Sequence, residues 1–374
     1  MNFDFSPEQH ALREQLRRLF NNGPQLARAQ LDAGSAFDGA LWSQFCELGF
    51  AAASIPEDLG GLGLGALELC VLAEEAGRTL APLPLTSSVL HTTEALKMAG
   101  GEVAHSWLPG LASGEVIGTV AFSEASGVWD AMPGCQVKDG LLSGFKRSVA
   151  DASVADVAIV SACSEDDGQG FGWWLVQLKS SHVRLDPVKS IDNLRGYSQI
   201  TFDAAPVRRI GSAGDGKSLT TRLLDMAAIF AAFEQVGAAQ ALLEATVDYA
   251  KTRRAFGALI GSQQAVKHRL ADMYTKIELA RGHCLYGAWA LSTDSAQIPT
   301  AAAGARLAAT DACTFAAEES IELHGGIGFT WESDCHLYYR RARSLALLLG
   351  NKQRWSDRLI SSLASSPGDS DTAN

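Results

Sequence analysis

The segment ESIELHGGIGFTWESDCHLYYRRAR, residues 319–343, joins two helical patterns through a pair of glycines. An alanine-rich helical pattern over residues 299–324 stops at Gly325 and Gly326, because glycine readily adopts the left-handed backbone that ends helices. A second helical pattern follows over residues 335–362. Two long helices with so short a connection are expected to pack against each other in antiparallel fashion.

Two further helical patterns precede this segment, over residues 217–252 and 262–292, and both are rich in alanine and leucine. The four patterns together predict an antiparallel four-helix bundle that forms a C-terminal domain over residues 213–364. The last residues, 365–374, are small and polar, and we expect them to form a disordered tail.

A different pattern occupies the middle of the chain. The runs VIGTVAF, VADVAIV, GWWLVQL and SQITFD are short and rich in β-branched or aromatic residues, which is typical of strands. Asp139 and Gly140 separate two such runs and indicate a hairpin turn. We therefore predict a small antiparallel β-barrel or sandwich as a middle domain over residues 116–212.

The first region, residues 1–115, has mainly helical patterning. Ser6 can cap a helix whose first turn contains Pro7, and Gln9 can complete a capping box. The stretch IPEDLGGLGLG interrupts the helical pattern with a turn. The predicted fold class is thus α+β, with an N-terminal helical domain, a middle antiparallel β domain and a C-terminal four-helix bundle.

The amino-acid composition limits the classes of molecule that this chain is expected to bind. The chain is 47% apolar and 20% charged with a net charge of -11, which is typical of a soluble globular protein and makes nucleic acid an improbable partner. No stretch has the unbroken apolar length of a membrane span, and the first residues do not form a signal peptide, so we expect a cytoplasmic protein without membrane contacts. The seven cysteines are spaced singly and the eight histidines do not cluster, so we expect reduced thiols and no metal site.

The order of helical region, small β region and bundle is uncommon, and two bundle segments are distinctive: residues 249–273, YAKTRRAFGALIGSQQAVKHRLADM, and residues 319–343. Together with IPEDLGGLGLG and EEAGRTLAPLP in the first region, they resemble the acyl-CoA dehydrogenase family over nearly the whole chain. The resemblance implies a flavoprotein that removes two hydrogens from the α and β carbons of an acyl-CoA thioester and passes electrons to an acceptor. A carboxylate takes the α proton while the flavin of FAD accepts hydride from the β carbon.

The resemblance also implies that FAD lies across a subunit interface, with its adenosine diphosphate end against the bundle of the neighbouring chain. Arg253 matches the family arginine that pairs with the pyrophosphate, and its permanently charged guanidinium suits that role. Phe256 matches the phenylalanine that follows, and Gln264 matches a glutamine that contacts the flavin. Taken singly, Arg253, Phe256 and the glycines that end the 299–324 pattern are also compatible with a solvated arginine, a core phenylalanine and a simple C-cap, and the hypothesis depends on the set.

Three more residues belong to this end of the cofactor. Gly325 and Gly326 match glycines that allow the backbone to approach FAD. Glu322 stands where the family usually has glutamine, and an additional negative charge facing a pyrophosphate is unfavourable unless the side chain is protonated or turned away.

The flavin end of the site departs from the family pattern. Family members place a tryptophan and, two residues later, a serine or threonine against the isoalloxazine; the matching positions here are Ser148 and Ala150. The glycine-rich loop that usually begins with Thr-Glu-Pro keeps only Ser123 and Glu124 of that pattern. The stacking plane and its hydrogen bond are therefore expected to be absent.

The catalytic base is also missing from both of the positions that the family uses. Leu349 occupies the first position, before the glycine that follows the arginine-rich segment, and Ala227, thirteen residues before Gln240, occupies the second. Asp225 and Glu234 are the nearest acids on the same helix, but neither is expected to reach the base position. We interpret both as ordinary solvated or helix-pairing acids.

Three hypotheses follow. The first is a non-catalytic subunit of a heteromeric acyl-CoA dehydrogenase for a bulky acyl group such as a steroid side chain; it would supply the adenosine diphosphate half-site to a second, catalytic chain. The second is an independent flavoenzyme with an unrecognised base. The third is a structural scaffold that binds a partner without contacting FAD.

Overall fold

The structure, a computed structural model, describes residues 5–21, 23–35, 37–124 and 128–365. The predicted disordered tail lies outside the described residues, apart from its first residue. The first region contains a π-helix, Leu85–Thr92, and seven α-helices: α1 Pro7–Leu19, α2 Pro24–Ala33, α3 Gly39–Glu47, α4 Ala66–Thr79, α5 Thr93–Ala99, α6 Gly101–His105 and α7 Leu108–Ser113.

The predicted capping box at the start of α1 is confirmed. The backbone N–H of Gln9 donates to Ser6 Oγ at 3.3 Å, and the backbone N–H of Ser6 donates to Gln9 Oε1 at 2.8 Å. These two bonds satisfy N–H groups that have no partner inside the helix.

The middle region is one mixed sheet in which β6 pairs with β7 beside the strand order β1-β4-β5-β7-β3-β2. Its strands are β1 Gly118–Ala121, β2 Gln136–Lys138, β3 Leu141–Ala150, β4 Val157–Ala162, β5 Gly172–Gln177, β6 Val183–Val188 and β7 Tyr197–Ile210. The hairpin prediction is confirmed, since Asp139 and Gly140 have positive φ of 51° and 74° between β2 and β3.

The expectation of a purely antiparallel β domain needs correction, because β1 pairs with β4 in parallel. β7 is long enough to pair with β5 through its last residues and with β3 and β6 through its first ones. The chain between β1 and β4 includes the β2–β3 hairpin, which pairs with the other half of β7. After this long connection, β4 lies beside β1 and runs in the same direction.

The C-terminal region is built from long helices: α8 Gly216–Thr252, α9 Gln264–Ser292, α10 Ile298–His324, α11 Cys335–Leu347 and α12 Lys352–Ser365. A two-stranded hairpin, β8 Arg254–Ala255 and β9 Ala258–Leu259, joins α8 to α9, and a 3-10 helix, Gly325–Phe329, follows α10. The predicted order of a helical region, a β region and a helical bundle is confirmed, whereas the three domain boundaries stay predictions.

The fourth predicted bundle helix, residues 335–362, is wrong in one respect: it is two helices separated at residues 348–351. Leu349 and Gly350 both have positive φ, 64° and 104°, which ends α11. The buried guanidinium of Arg306 donates to the carbonyl oxygens of Leu345 and Leu348, the latter at 2.7 Å. These bonds satisfy carbonyls that a continuing helix would have used.

The helix α8 also corrects the expectation about membrane-spanning length. Its most apolar window of 18 residues meets the length and composition of a membrane span, but 89% of that window is buried inside the protein. A helix that is covered by protein along most of its surface lies at the centre of a large hydrophobic core.

Two glycines allow α4 of the first region to cross α8 closely. A Cβ atom on Gly77 would lie 2.0 Å from the backbone oxygen of Glu234, and one on Gly237 would lie 1.9 Å from that of Glu74. Any larger residue at either position would separate the helices. The first region and the bundle therefore share one continuous core.

Candidate functional site

A cavity of about 770 Å³ lies between the β region and the break that separates α11 from α12. Ser123 and Ser148 contribute to its wall from the β region, and Leu347, Leu348 and Leu349 contribute from the break. The charged side chains that line it among the described residues are cationic, and none is a carboxylate. Its volume is in the range of small-molecule sites.

Ser148, the residue at the family tryptophan position, lies in a β-bulge of β3. Its φ is 51°, and the pairing of β3 with β7 shifts between Lys146 and Val149. The backbone N–H of Arg147 donates to the carbonyl of Ser123 at 2.9 Å and so fixes the loop beside the bulge. A serine here offers no aromatic plane on which a flavin could stack.

A different aromatic residue, Trp129, lines the cavity. Its ring packs edge-on against His91 and Phe122, with centroids 5.4 Å and 5.5 Å away. Sequence reasoning missed Trp129 because it follows the loop motif and has no counterpart in the family pattern used for prediction. The only signal was an aromatic residue in a segment where small residues are usual.

Glu124, the other retained loop residue, anchors the loop and does not line the cavity. It accepts hydrogen bonds from the backbone N–H groups of Gly134 at 2.8 Å and Cys135 at 3.2 Å, and from the buried ammonium of Lys146 at 2.7 Å. Burial opposes its ionisation, but the Lys146 bond and charge and the two backbone donors together lower the pKa of Glu124. A carboxylate held in this way is a structural group.

Leu349, at the first base position, is buried in the cavity wall in the left-handed backbone conformation. Ala227, at the second base position, is completely buried in the core. Neither side chain can accept a proton. Both base positions are therefore occupied by apolar residues.

Of the two alternatives for Asp225 and Glu234, solvated acids or paired acids, the structure shows buried, paired acids. Asp225 is 2% exposed and accepts two hydrogen bonds from the guanidinium of Arg358 on α12, at 2.8 Å and 2.6 Å. Burial raises the pKa of Asp225 although Arg358 opposes this shift. The pairing holds the carboxylate away from the cavity.

Glu234 belongs to a buried charge network. Its carboxylate accepts hydrogen bonds from Arg195 and Arg341, each at 3.0 Å. Asp192 also pairs with Arg341, and Asp151 accepts a hydrogen bond from Ser87 Oγ at 2.6 Å beside it. Because these partners come from separate regions of the chain, nothing in the spacing of the sequence indicated the network.

A second group of predicted residues lies at one end of the bundle, where α8 and α10 both end and α9 begins. Tyr249 and His324 connect these ends: their rings stack with centroids 4.3 Å apart, and Tyr249 Oη donates to the carbonyl of His324 at 3.3 Å. Arg253 follows α8 directly and Gly325 follows α10 directly. The structure therefore brings the two predicted motifs to the same end of the bundle.

The predicted residues at this end are exposed to solvent: Arg253, Phe256, Gln264, Glu322, Gly325 and Gly326. Phe256 lies at the tip of the β8–β9 hairpin with φ 52°, and its side chain is as accessible as in an extended peptide, at 107%. The expectation that it could be a core phenylalanine is wrong. Arg253 has no carboxylate partner among the described residues.

Glu322 lines a groove of about 480 Å³ together with Phe329, Trp331 and Arg340. Phe329 and Trp331 are 76% and 52% exposed. An aromatic groove with an arginine can bind a planar ring next to an anionic group. Arg340 donates to the carbonyl of Ile191 at 3.1 Å, and Glu318 adds a second carboxylate to the lining of the groove.

The two halves of an FAD site thus fit differently. At the two positions where the family pattern places an aromatic plane and a hydroxyl against the flavin, this chain has Ser148 and Ala150, so these two positions do not fit that half. At the bundle end, exposed Arg253 and glycine backbone fit an anionic pyrophosphate.

Comparison with known proteins gives matches over most of the chain. The family model "Acyl-CoA dehydrogenase, N-terminal domain" matches residues 6–115, and "Acyl-CoA dehydrogenase, C-terminal domain" matches residues 214–361. Acyl-CoA dehydrogenase IpdE2 of Mycobacterium tuberculosis is 35% identical over 96% of this chain and 98% of its own length.

Two solved structures are similar along almost the whole chain. The Tcur3481–Tcur3483 steroid ACAD has a TM-score of 0.86 and 31% identity, covering 96% of this chain and 98% of its own. The ChsE4–ChsE5 complex from Mycobacterium tuberculosis has a TM-score of 0.89 and 27% identity, covering 98% of this chain and 100% of its own.

Proposed function

This chain belongs to the acyl-CoA dehydrogenase family, and we propose that it is the non-catalytic subunit of a hetero-oligomeric acyl-CoA dehydrogenase. In this assembly a second chain of the family carries the catalytic glutamate and the flavin pocket. The present chain supplies the residues that hold the adenosine diphosphate end of the partner's FAD.

Members of the family are oxidoreductases that act on acyl-CoA, and they bind FAD. When bound, the flavin accepts the hydride that leaves the acyl group. Removal of the α proton requires a carboxylate within hydrogen-bond reach of it. The protein must therefore provide an acid beside the flavin.

The absence of a carboxylate from the cavity lining among the described residues carries the proposal. The wall at the first base position is formed by Leu347, Leu348 and Leu349. The two acids on α8 that could substitute, Asp225 and Glu234, are buried and held by arginines. Among the described residues, the cavity therefore has no carboxylate suited to abstract the proton.

The bundle end supports the second part of the proposal. Arg253 would pair with the pyrophosphate of the partner's FAD, and the backbone at Gly325 and Gly326 would lie against it. Phe256 would be covered by the partner chain, since a fully exposed phenylalanine at a hairpin tip is otherwise unfavourable. Gln264, at the exposed start of α9, would contact the cofactor from the same side.

The similarity to the steroid ACAD and to the two-chain ChsE4–ChsE5 complex supports a heteromeric assembly and a bulky acyl-CoA as its substrate. We propose a steroid side-chain thioester as the substrate class. A separate electron acceptor would reoxidise the flavin, and the assembly would function in the cytoplasm.

Cofactor stoichiometry tests this function. The tagged full-length chain is purified together with the chains that bind it, and flavin absorbance is compared with the amount of each chain. We expect one FAD per pair of unlike chains. Two FAD per pair would mean that this chain holds its own flavin, and an active, flavin-containing homo-oligomer would mean that it is an independent enzyme.

A further inference from the structure

A second, much smaller cavity lies behind the inner wall of the 770 Å³ cavity. Its volume is about 30 Å³, and Ser123, Trp129, Ser148 and Leu348 line both cavities. These four residues therefore form the wall between the two. A polar space of this size is sufficient for one water molecule or for one small polar group of a ligand.

His91, from the π-helix, faces this chamber with an unsatisfied nitrogen. The residue is 5% exposed, and its Nε2 is buried without a hydrogen-bond partner among the described residues. Burial and the nearby charge of Arg195 lower the pKa of His91 to about 3, so the ring is neutral. A neutral imidazole nitrogen can donate or accept one hydrogen bond, and a buried one is normally satisfied.

Two other polar side chains of the chamber, Arg195 and Ser87, already have partners. The guanidinium of Arg195 donates to Glu234 at 3.0 Å and to Thr86 Oγ1 at 3.1 Å. Ser87 Oγ donates to the buried carboxylate of Asp151 at 2.6 Å. Of the fully buried side-chain nitrogen and oxygen atoms that line the chamber in the described part of the chain, His91 Nε2 is the one without a hydrogen-bond partner.

The lining of the large cavity changes along its length from apolar side chains to cationic ones. Its wall next to the chamber is apolar through Leu348 and Leu349, and exposed Val188 and Ile191 lie further out. Its charged side chains among the described residues are the exposed cations Lys189 and Arg343. Arg343 has Glu318 as a partner at 3.6 Å, whereas Lys189 has no carboxylate partner in the described part of the chain.

We propose that this cavity is a binding site, without catalysis, for an elongated apolar molecule that has an anionic group at one end and a hydroxyl or carbonyl oxygen at the other. The anionic group lies between Lys189 and Arg343. The apolar body packs on the leucine wall, and the oxygen reaches the chamber and hydrogen-bonds to His91 Nε2 when Trp129 turns aside. The inference rests on the proposed function in one respect, namely that no flavin fills the cavity of this chain.

A matched pair of ligands tests the site. Binding of 12-hydroxydodecanoate and of dodecanoate to the purified full-length assembly is measured by titration calorimetry, with the flavin content of the same sample determined. Because one hydrogen bond to a buried partner is gained, we expect the hydroxylated acid to bind about tenfold more tightly. His91→Phe keeps the ring beside Trp129 and removes the nitrogen, so the two acids should then bind equally.

Two further variants keep the test decisive. His105→Phe changes an exposed histidine on α6 and should preserve the tenfold preference. Leu348→Trp fills the wall between the cavities and should abolish the preference even if His91→Phe does not fold. Two results would overturn the inference and leave only a buried water beside His91. One is a lack of saturable binding of either acid in a chain without its own flavin. The other is an unchanged preference for the hydroxylated acid in both His91→Phe and Leu348→Trp. A second FAD per unlike pair would instead contradict the proposed function.

Discussion

Tyr249 and His324 stack with ring centroids 4.3 Å apart and planes 24° apart, and so join the last turn of α8 to the last turn of α10. Arg253 lies four residues after Tyr249, and Gly325 follows His324 directly. One aromatic contact therefore fixes the distance between two motifs that are about seventy residues apart in sequence. The first two predictions concern the surface that this contact organises.

Arg253→Glu should empty the partner's cofactor site. A carboxylate would face the pyrophosphate in place of a guanidinium, and loss of such a charge contact should weaken FAD binding at least about tenfold. Flavin content of the purified assembly measures the effect. Arg254→Glu, an exposed change of the same charge at the next residue, is the matched control; equal flavin content in both variants would favour a scaffold that does not contact FAD.

Phe256→Asn should weaken assembly without destabilising the chain itself. Asparagine tolerates the left-handed backbone that Phe256 adopts, and the exposed ring makes few contacts within this chain to lose. The dissociation constant for the partner chain, measured by analytical ultracentrifugation, should rise about tenfold or more if the ring is an interface anchor. Leu62→Asn, at an exposed leucine of the first region, is the control and should leave this dissociation constant unchanged.

Leu349→Glu should not create an active enzyme. The new carboxylate would have no flavin beside it in this chain, and placing it unpaired at a buried position should cost roughly 3 kcal/mol of the free energy of unfolding. Leu349→Met, with nearly the same volume, is the control for packing. Dehydrogenase turnover by the glutamate variant without a partner would show that the flavin half of the site is functional.

Asp151→Asn should change how stability depends on pH. Burial raises the pKa of Asp151, and the charges of Arg195 and Arg341 offset this only in part. A carboxyl with a raised folded pKa contributes stability that is fully present below its unfolded pKa, about 4, and is lost as pH rises through the folded pKa. The free energy of unfolding of the asparagine variant, relative to the natural chain, should therefore increase over that window in urea titrations; a constant difference would contradict the prediction.

Local signals in the sequence predicted local structure well. The capping box of Ser6 and Gln9 and the turn at Asp139 and Gly140 depend on a few adjacent residues, and both are present. The long alanine-rich helices were predictable for the same reason. The predicted cofactor motifs lie together because they fall at helix ends on the same side of an antiparallel bundle.

Features that depend on distant residues were not predictable. The leucine run before Gly350 favours a continuous helix, and the break arises because Arg306, on α10, binds the carbonyls at the end of α11. The pairing of Asp225 with Arg358 was not predictable, because the two residues are 133 positions apart in sequence. The chamber beside His91 is formed by the π-helix, the β region and the helix break, and no sequence spacing connects them.

Side-chain contacts hold helix α8 in place at three positions along its length. Asp225 pairs with Arg358, Glu234 pairs with Arg195 and Arg341, and Tyr249 stacks on His324. Each residue inserted into or deleted from an α-helix rotates everything beyond it by about 100° and shifts it by about 1.5 Å. A single insertion between Glu234 and Tyr249 would thus turn Arg253 away from the surface that it shares with Gly325. The number of residues in this segment of α8 is therefore fixed by the contacts at its two ends.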